Sequence, residues 1–312
     1  MNTNHQNQIN DRLQNQPDQF STGSDTASNH SSVYDRITER MIALLSQGTI
    51  PWRKPWNVQR GFPRNLISKK PYRGVNVLML HAMQYESPFW LTFHQAQQLG
   101  GNVRKGEKSC PVIFGQRKET EDEITGEKTH YTVLRLYNVF NVSQCESLKN
   151  IPASTETVTT TAPAAIVANM PHPPEIKHGM ASAYYSRVED TVGIPYPERF
   201  TSEDEYFSAL YHELTHATGH ENRLNRPTIT EPNRFSSEEY SREELIAEMG
   251  SAFLCGQAGI AELTLNNSAA YLQNWLEALK NDHKLIVQAA AQAQKAADFI
   301  LGTKFEDAPV ES

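Results

Sequence analysis

The sequence predicts an α+β protein of two domains, a small α+β domain followed by a mostly helical domain with a small sheet. The chain has 312 residues, a length that favours two domains over one. An alternating hairpin pattern lies in the first half, whereas apolar residues recur at helical spacing through much of the second. The residues between these patterns are rich in Pro, Ala, Ser and Thr, as linkers are.

Composition sets the expected boundaries. Residues 1–30 are rich in Asn, Gln, Ser and Asp and have almost nothing apolar to bury, which predicts a disordered tail. The first domain is expected over 31–150, the linker over 151–165, the second domain over 166–304 and a second tail over 305–312. The tails and the linker account for part of the low hydrophobic content of 38%.

Helices of the first domain follow from periodicity. Residues 33–45 place their apolar side chains on one side, which predicts an amphipathic helix that ends at Gly48. A buried helix is expected over 76–85. A short helix is expected over 92–99, where a pair of glycines ends it.

A β-hairpin is the next predicted element. Residues 110–115 and 131–140 have the composition of strands, and a charged turn at 120–129 joins them. One face of the second strand carries Tyr131, Val133, Arg135 and Tyr137. Such a face would suit a strand of nucleic acid, although an ordinary sheet surface is the interpretation that these residues favour by themselves.

The second domain is predicted to start with a helix at 164–169. Residues 183–186 and 191–194 then predict paired strands, and an edge strand there would allow an extended peptide to add by backbone pairing. Late in the chain, 268–280 and 287–301 carry apolar residues at helical spacing and are interpreted as packing elements.

Charge is distributed unevenly along the chain. The net charge is −7, yet no acidic residue occurs between Glu39 and Glu86. From Glu198 to Glu248 the balance reverses. A basic front half and an acidic back half indicate different partners for the two domains.

The cysteines and the N-terminus indicate a cytoplasmic protein. The 3 cysteines, Cys110, Cys145 and Cys255, are odd in number and scattered, so they predict neither a disulfide framework nor a Cys-based metal site. The N-terminus lacks the apolar core of a secretory signal, and no apolar run approaches the length of a membrane span.

Aromatic residues alternate with Arg and Lys between Pro51 and Asn76. Cations neutralise phosphates and flat rings stack on unpaired bases, so the segment predicts binding of single-stranded nucleic acid. The alternative is that Trp52 and Trp56 anchor the core while the charges solvate a loop. The candidate DNA-binding residues are Trp52, Arg53, Lys54, Trp56, Arg64, Lys69, Lys70, Tyr72 and Arg73.

The segment around His212 and His216 carries a metal-binding pattern. On a helix these residues lie four positions apart, so both imidazoles project from one face and can bind one Zn²⁺. Glu213 beside them is placed to accept a proton from a water molecule at the site. Zn²⁺ is the expected ion, with another divalent metal as the alternative. A chance grouping on a solvated helix face is the competing interpretation.

A third ligand is expected on a helix predicted over 241–255. Glu244 and Glu248 lie four positions apart on it and share a face. Glu244 is the predicted third ligand, and Glu248 is the predicted partner that holds a metal-bound imidazole in one tautomer. Glu248 or His220 as the ligand remains the alternative, as does a salt-bridged surface in which Arg242 pairs with the two carboxylates.

Several motifs occur in the order typical of one family. The first half contains Pro51-Trp52, Pro55-Trp56, Tyr72-Arg73-Gly74-Val75-Asn76, Thr92-Phe93, Gln95-Ala96, Tyr137-Asn138-Val139-Phe140-Asn141-Val142 and Gln144-Cys145. It resembles the single-stranded-DNA-binding domain of ArdC-type antirestriction proteins, which conjugative plasmid primases share. The second half resembles the zincin metallopeptidase domain of the same proteins, through Ala183-Tyr184-Tyr185, His212-Glu213, His216-Ala217-Thr218-Gly219-His220 and Glu243-Glu244-Leu245-Ile246-Ala247-Glu248.

The resemblance covers nearly all of the chain except the N-terminal tail and the linker. It implies a plasmid-encoded cytoplasmic protein that binds single-stranded DNA and shields incoming DNA from host restriction during conjugation. It also implies that His212 and His216 are metal ligands and that Glu213 is the catalytic carboxylate of a gluzincin-like zinc metallopeptidase, acting on a restriction protein or another protein. Dormant or conditional hydrolysis is one alternative. Another is a DNA-binding shield that the metal only braces.

Overall fold

The structure is a computed structural model that describes residues 32–53, 61–121, 128–149, 151, 160–231, 237–260 and 269–303. The two expected tails and most of the expected linker lie outside these residues. The described residues form two mixed α and β parts, which confirms the predicted fold class. No helix among them is long and apolar enough to cross a membrane.

The first part contains a four-stranded sheet, a two-stranded sheet and flanking helices. Its helices are α1 (Val33–Ser46), α2 (Val75–Ala82) and α3 (Phe93–Gln98). Its strands are β1 (Arg64–Asn65), β2 (Phe89–Thr92), β3 (Asn102–Val103), β4 (Cys110–Glu121), β5 (Lys128–Asn141) and β6 (Cys145–Glu146). The three helices predicted in this part are therefore confirmed, with ends displaced by a few residues.

Local sequence signals start two of these helices. Ser32 caps α1 in a capping box with Asp35, in which each side chain bonds the backbone N–H of the other residue. Thr92 and Gln95 form the same box at the start of α3. Each box satisfies backbone donors that a helix start would otherwise leave without partners.

The predicted hairpin is confirmed and is longer than expected. The larger sheet has the order β1-β2-β5-β4, and β4 pairs with β5 over its whole length. In contrast, β2 pairs with β5 only over 139–141. The outer portion of the hairpin is therefore a two-stranded ribbon that extends beyond the sheet. The centre of the predicted charged turn, 122–127, lies outside the described residues.

The second part surrounds a three-stranded sheet with helices. Its helices are α4 (Pro163–Ala168), α5 (Glu203–Ala217), α6 (Pro227–Thr230), α7 (Ser237–Ala258), α8 (Ala269–Asn281) and α9 (Leu285–Ile300). Its strands are β7 (Glu175–His178), β8 (Tyr184–Ser186) and β9 (Thr191–Ile194), in the order β7-β9-β8. The expected pairing of β8 with β9 is antiparallel, and β8 is an edge strand.

Helices α5 and α7 cross closely, with α9 packed on α7. A Cβ at Gly250 of α7 would lie 2.5 Å from a side-chain carbon of Thr215 on α5, so a larger residue would push the helices apart. The missing side chain thus permits the approach that brings the polar residues of both helices together.

The larger of two hydrophobic core clusters among the described residues spans both parts. Its buried side chains extend from Ile37 of α1 to Ile300 of α9, and the rings of Trp52 and Trp275 make an edge-to-face contact at 6.2 Å. Arg73 forms an ion pair with Asp298 across the same junction. The described parts of the two halves are thus packed on each other and are not merely tethered.

Candidate metal centre

The helix that carries the histidines begins at a defined N-cap. The Ser202 side chain accepts a hydrogen bond from the Glu205 backbone N–H at 3.1 Å. The first turn is acidic, and negative charge stabilises the N-terminus of a helix. No Gly or Pro interrupts α5 before it ends at Ala217. The two histidines therefore lie one turn apart on a regular helix, as the spacing predicts.

Donor atoms of His212, His216 and Glu244 converge in the structure. The two Nε2 atoms are 3.1 Å apart. Glu244 places Oε2 3.5 Å from the His212 Nε2 and Oε1 3.6 Å from the His216 Nε2. One donor atom from each residue lies within 4.8 Å of the other two. Two imidazole nitrogens and one carboxylate oxygen at this spacing fit a divalent cation with a further position open.

His220, an alternative third ligand, lies outside this group. Its Nδ1 accepts a hydrogen bond from the Asn222 backbone N–H at 3.2 Å, in the turn that follows α5. Arg242, the expected partner of the two carboxylates in a surface interpretation, instead donates to Asp282 at 2.8 Å and to Gln288 at 2.6 Å. Glu244 is thus the carboxylate that the structure brings to the histidines.

Glu248, the predicted support for an imidazole, takes a different place. Its carboxylate accepts the Trp52 indole N–H at 2.8 Å and pairs with Arg53 at 3.2 Å. Tyr271 of α8 donates its hydroxyl to the same carboxylate, and the Arg53 guanidinium lies 3.7 Å from the centre of the Tyr271 ring. The prediction for Glu248 is corrected by this geometry, because the residue lies on the side of α7 that faces the first part.

Glu243, to which sequence reasoning gave no role, contacts His216 instead. The His216 Nδ1 lies 3.3 Å from the Glu243 Oε1. An ionised carboxylate can only accept a hydrogen bond, so Nδ1 carries the proton and donates it. In the neutral ring the Nε2 atom, on the side of His212 and Glu244, is then the bare nitrogen, which is the tautomer that a metal ligand needs.

Arg226 in turn fixes Glu243. Its guanidinium donates to Oε1 at 2.5 Å and to Oε2 at 3.2 Å, while Thr228 donates to Oε2 at 2.5 Å. The same guanidinium bonds the Thr218 hydroxyl at 2.6 Å and the Thr215 carbonyl at 2.8 Å. Burial alone would raise the pKa of Glu243, but the charge of Arg226 helps to lower it to about 2. No local pattern marks this contact, since Arg226 comes from a loop.

Glu213 lies between the histidines and the edge strand. It is 9% exposed. Burial raises its pKa, while the neighbouring His216 and His212 charges act in the opposite direction, as does a hydrogen bond with the backbone of Tyr185 in β8. A carboxyl group whose pKa is raised by burial is suited to accept a proton and return it.

Glu244 is held in its ionised form. Burial alone would raise its pKa, but a hydrogen bond from His212 and the charges of both imidazoles hold the pKa below its ordinary value. Tyr240, one turn earlier on α7, also forms a hydrogen bond with Glu244, and the Glu244 charge raises the pKa of that hydroxyl. An ionised carboxylate is the form that a cation binds.

Four of the predicted DNA-binding residues are engaged inside the protein. Trp52 is 0% exposed and Tyr72 is 5% exposed, so neither ring is available to a base in this conformation. Arg53 and Arg73 form ion pairs with carboxylates of the second part. For Trp52 the structure thus agrees with the alternative interpretation, a core anchor.

The remaining candidates differ in their surroundings. Lys69 and Lys70 are exposed, and Arg64 is half-buried. The Lys69 ammonium lies 5.0 Å from the centre of the Phe89 ring. Lys54 and Trp56 lie outside the described residues. Two exposed cations of the basic segment are therefore in a position to meet a polyanion.

Two family models match the chain. One, described as a zincin-like metallopeptidase, covers residues 165–292, and the other, described as the N-terminal domain of the anti-restriction factor ArdC, covers residues 31–140. A DNA primase TraC of Escherichia coli is 33% identical in an alignment 292 residues long that covers 86% of this chain and 27% of the primase. This chain thus spans about a quarter of the length of that relative.

Relatives of similar length also match. The uncharacterized protein y4eC of Sinorhizobium fredii is 32% identical over 284 residues, covering 86% of this chain and 91% of that protein. The metal-free crystal structure of the antirestriction protein ArdC from plasmid R388 has 38% identity and a TM-score of 0.69, covering 86% of this chain and 97% of that one. Its Mn(II)-bound structure has 35% identity and the same TM-score of 0.69, covering 87% and 98%. The chain therefore belongs to the ArdC family of antirestriction proteins.

Proposed function

We propose that this protein protects incoming plasmid DNA from host restriction during conjugation, that its first part binds single-stranded DNA, and that its second part is a metal-dependent peptidase. The observation that carries the peptidase proposal is the convergence of His212, His216 and Glu244 next to Glu213. Family membership supports the antirestriction role. The similarity to DNA primases supports DNA as the ligand of the first part.

The donor set suits a divalent cation. Two neutral imidazoles with one carboxylate are ligands that Zn²⁺ accepts in catalytic sites, and the Mn(II)-bound state of the R388 relative supports a divalent ion more generally. His216 is held by Glu243, so its Nε2 needs no reorientation before it binds an ion. We propose Zn²⁺ as the resident ion.

The side chains around the donors supply the elements of peptide hydrolysis. A divalent cation at such a site acidifies water and polarises a carbonyl group. Glu213 accepts the proton from water and returns it to the leaving amine, a role that fits its burial and raised pKa. Strand β8, at the sheet edge beside α5, offers backbone groups with which an extended peptide would pair.

A second candidate function is a DNA-binding shield in which the metal braces the fold without hydrolysis. The observation that favours it is the contact of Glu248 with Trp52 and Arg53, through which the helix that carries Glu244 is fixed to the first part. In this case the cation stabilises α5 and α7, and the protection comes from DNA binding alone.

Transfer of an unmodified plasmid into a restricting host separates the two functions. Glu213→Ala removes the proton acceptor but none of the three donors, whereas His216→Ala removes a donor. Loss of protection in both variants, with Zn²⁺ still bound by Glu213→Ala, is expected if hydrolysis protects. Protection that persists in Glu213→Ala and is lost in His216→Ala would support the braced shield.

A further inference from the structure

The outer portion of the β4–β5 hairpin has a face that the functions assigned above do not use. In this ribbon the register places Lys118 opposite Tyr131 and Phe114 opposite Arg135. Residues directly opposite each other point to the same side of a sheet, as do residues four apart along a strand. Lys118, Tyr131 and Arg135 therefore share one face, which we call the ribbon face.

Charge is divided between the two faces of the ribbon. Glu119 lies on the opposite face, where its carboxylate is 2.6 Å from the ammonium of Lys128. Within residues 112–120 and 129–137, no position on the ribbon face is acidic. Lys118 and Arg135 are exposed, and no carboxylate of the described residues forms an ion pair with either. The ribbon face is thus cationic, whereas the opposite face includes paired charges.

Aromatic rings connect the ribbon face to the basic segment. Tyr131 is 49% exposed, with its ring on the same side as both cations. Nearer the body, Phe114 contacts Tyr137 at 5.7 Å and Tyr72 at 6.0 Å between ring centres. Tyr72 closely follows Lys70 in the basic segment. Cationic and aromatic side chains thus extend from that segment along the ribbon.

We propose that the ribbon face binds single-stranded DNA, with Lys118 and Arg135 contacting phosphates and Tyr131 stacking on a base. This assignment rests on the DNA binding proposed above and names its surface. Tyr131 and Arg135 are four residues apart, about 13 Å along a strand, so Lys118 beside Tyr131 and Arg135 can contact different phosphates of one strand. An exposed ring between cations matches unpaired bases, whose faces are accessible, whereas the bases of a duplex are already stacked.

The test measures fluorescence anisotropy of a labelled oligothymidylate of about 20 nucleotides with the full chain, across a salt series. The matched substitutions are Lys118→Glu and Lys128→Glu, since both lysines are exposed near the end of the same ribbon but lie on opposite faces. Together, Lys118→Glu and Arg135→Glu are expected to weaken binding at least about tenfold and to lower the slope of log affinity against log salt by about 1.4. Lys128→Glu is expected to change affinity less than about twofold.

The stacking role of the Tyr131 ring is tested separately. Tyr131→Ala is expected to weaken binding about tenfold, while Tyr131→Phe retains the stacking surface and binds like the wild-type protein. Equal losses from Lys118→Glu and Lys128→Glu would overturn the proposal, because only net charge would then matter. Full binding by the Lys118→Glu and Arg135→Glu double variant, or a duplex that competes as well as the single strand, would also overturn it. A wild-type protein that binds no single strand would instead remove the proposed DNA function itself.

Discussion

The Trp52 indole N–H donates a hydrogen bond to the Glu248 carboxylate across 2.8 Å, and this bond joins the first part of the chain to the helix that carries Glu244. Arg53 pairs with the same carboxylate at 3.2 Å, and the two charged side chains are only 10% and 12% exposed. A buried carboxylate that serves two donors of the opposite half is expected to matter for folding more than for metal binding.

Removal of this carboxylate is expected to destabilise the protein. Glu248→Ala takes away the acceptor shared by Trp52 and Arg53, and breaking a buried ion pair from one side costs about 3 kcal/mol. Urea denaturation followed by fluorescence measures the free energy of unfolding. Asp282→Ala, which breaks the more exposed pair with Arg242, is the control and is expected to cost less than about 1 kcal/mol. Equal losses from the two substitutions would contradict the prediction.

Metal titration distinguishes the two carboxylates that the sequence left in competition. Glu244→Gln is expected to weaken Zn²⁺ binding by at least about 100-fold, because it removes a charged metal ligand. Residues that only hold a ligand in place typically contribute about tenfold to hundredfold in metal affinity. Glu248→Gln keeps the shape of its side chain and is expected to bind Zn²⁺ like the wild-type protein. Competition with a chromophoric chelator measures both affinities. A large loss in Glu248→Gln with none in Glu244→Gln would reverse the assignment.

Arg226 is expected to act on the metal through Glu243. Arg226→Met leaves the Glu243 carboxylate without its guanidinium partner, so we expect weaker stability and Zn²⁺ affinity lower by about tenfold to hundredfold. Arg223→Met is a matched control, because Arg223 comes from the same loop and is also buried, but it pairs with Asp190. The control should lose stability and keep its metal affinity. Identical affinities in both variants would show that Arg226 has only a structural role.

Cation binding is expected to stabilise the fold. An ion that binds only the folded state adds about 2.7 kcal/mol when its free concentration is 100-fold above Kd. Thermal unfolding with buffered Zn²⁺ and with a chelator should therefore differ for the wild-type protein and for Glu213→Ala. The difference should vanish in His216→Ala. If the melting temperature of the wild-type protein is the same with Zn²⁺ and with the chelator, the result would argue against a resident metal.

The Arg223–Asp190 pair predicts a pH dependence of stability. Burial alone would raise the pKa of Asp190, but hydrogen bonds from Arg223 and Tyr185 hold it below 3.8. Because the folded-state pKa is lowered, the stabilisation is present above pH 3.8 and is lost as the pH falls through the folded value. Asp190→Asn should cost about 1 kcal/mol at pH 7. Urea denaturation should show that the difference in unfolding free energy between the wild-type protein and Asp190→Asn shrinks in acid. A difference that does not change with pH would contradict the assignment.

Local patterns predicted most of the elements and the centre of the site. The helical spacing of apolar residues in α1, the alternation in β5 and the spacing of His212 and His216 all act over a few residues. Physical signals of this range are fully present in the sequence, because they depend on one turn of helix or one strand. The corresponding helices were therefore predicted with small errors at their ends, while the hairpin was predicted too short.

Long-range contacts decided what the sequence left open. Glu243, Glu244 and Glu248 all lie on α7, and which of them meets an imidazole depends on how α7 crosses α5. That crossing is set partly by the contact of Gly250 with Thr215, which no spacing rule reveals. The competing roles of the carboxylates could therefore be stated from the sequence but not resolved.

The burial of Trp52 could not be predicted from the sequence for a similar reason. A tryptophan beside basic residues has the same local appearance whether it stacks on a base or enters a core. Its burial depends on Glu248 and Trp275, which are about 200 positions away along the chain. Lys118 was not among the candidate DNA-binding residues because its face becomes apparent only when its register with β5 is known.

The larger core, which runs through both halves, makes each half depend on the other for part of its stability. If either half were produced by itself, Trp52 and Trp275 would lose their contact, and the Glu248 carboxylate would lose its hydrogen bonds from Trp52 and Arg53. We therefore expect either half, produced alone, to be less stable than the full chain. The alignment with the much longer primase, which takes in 86% of this chain, agrees with inheritance of an undivided cassette.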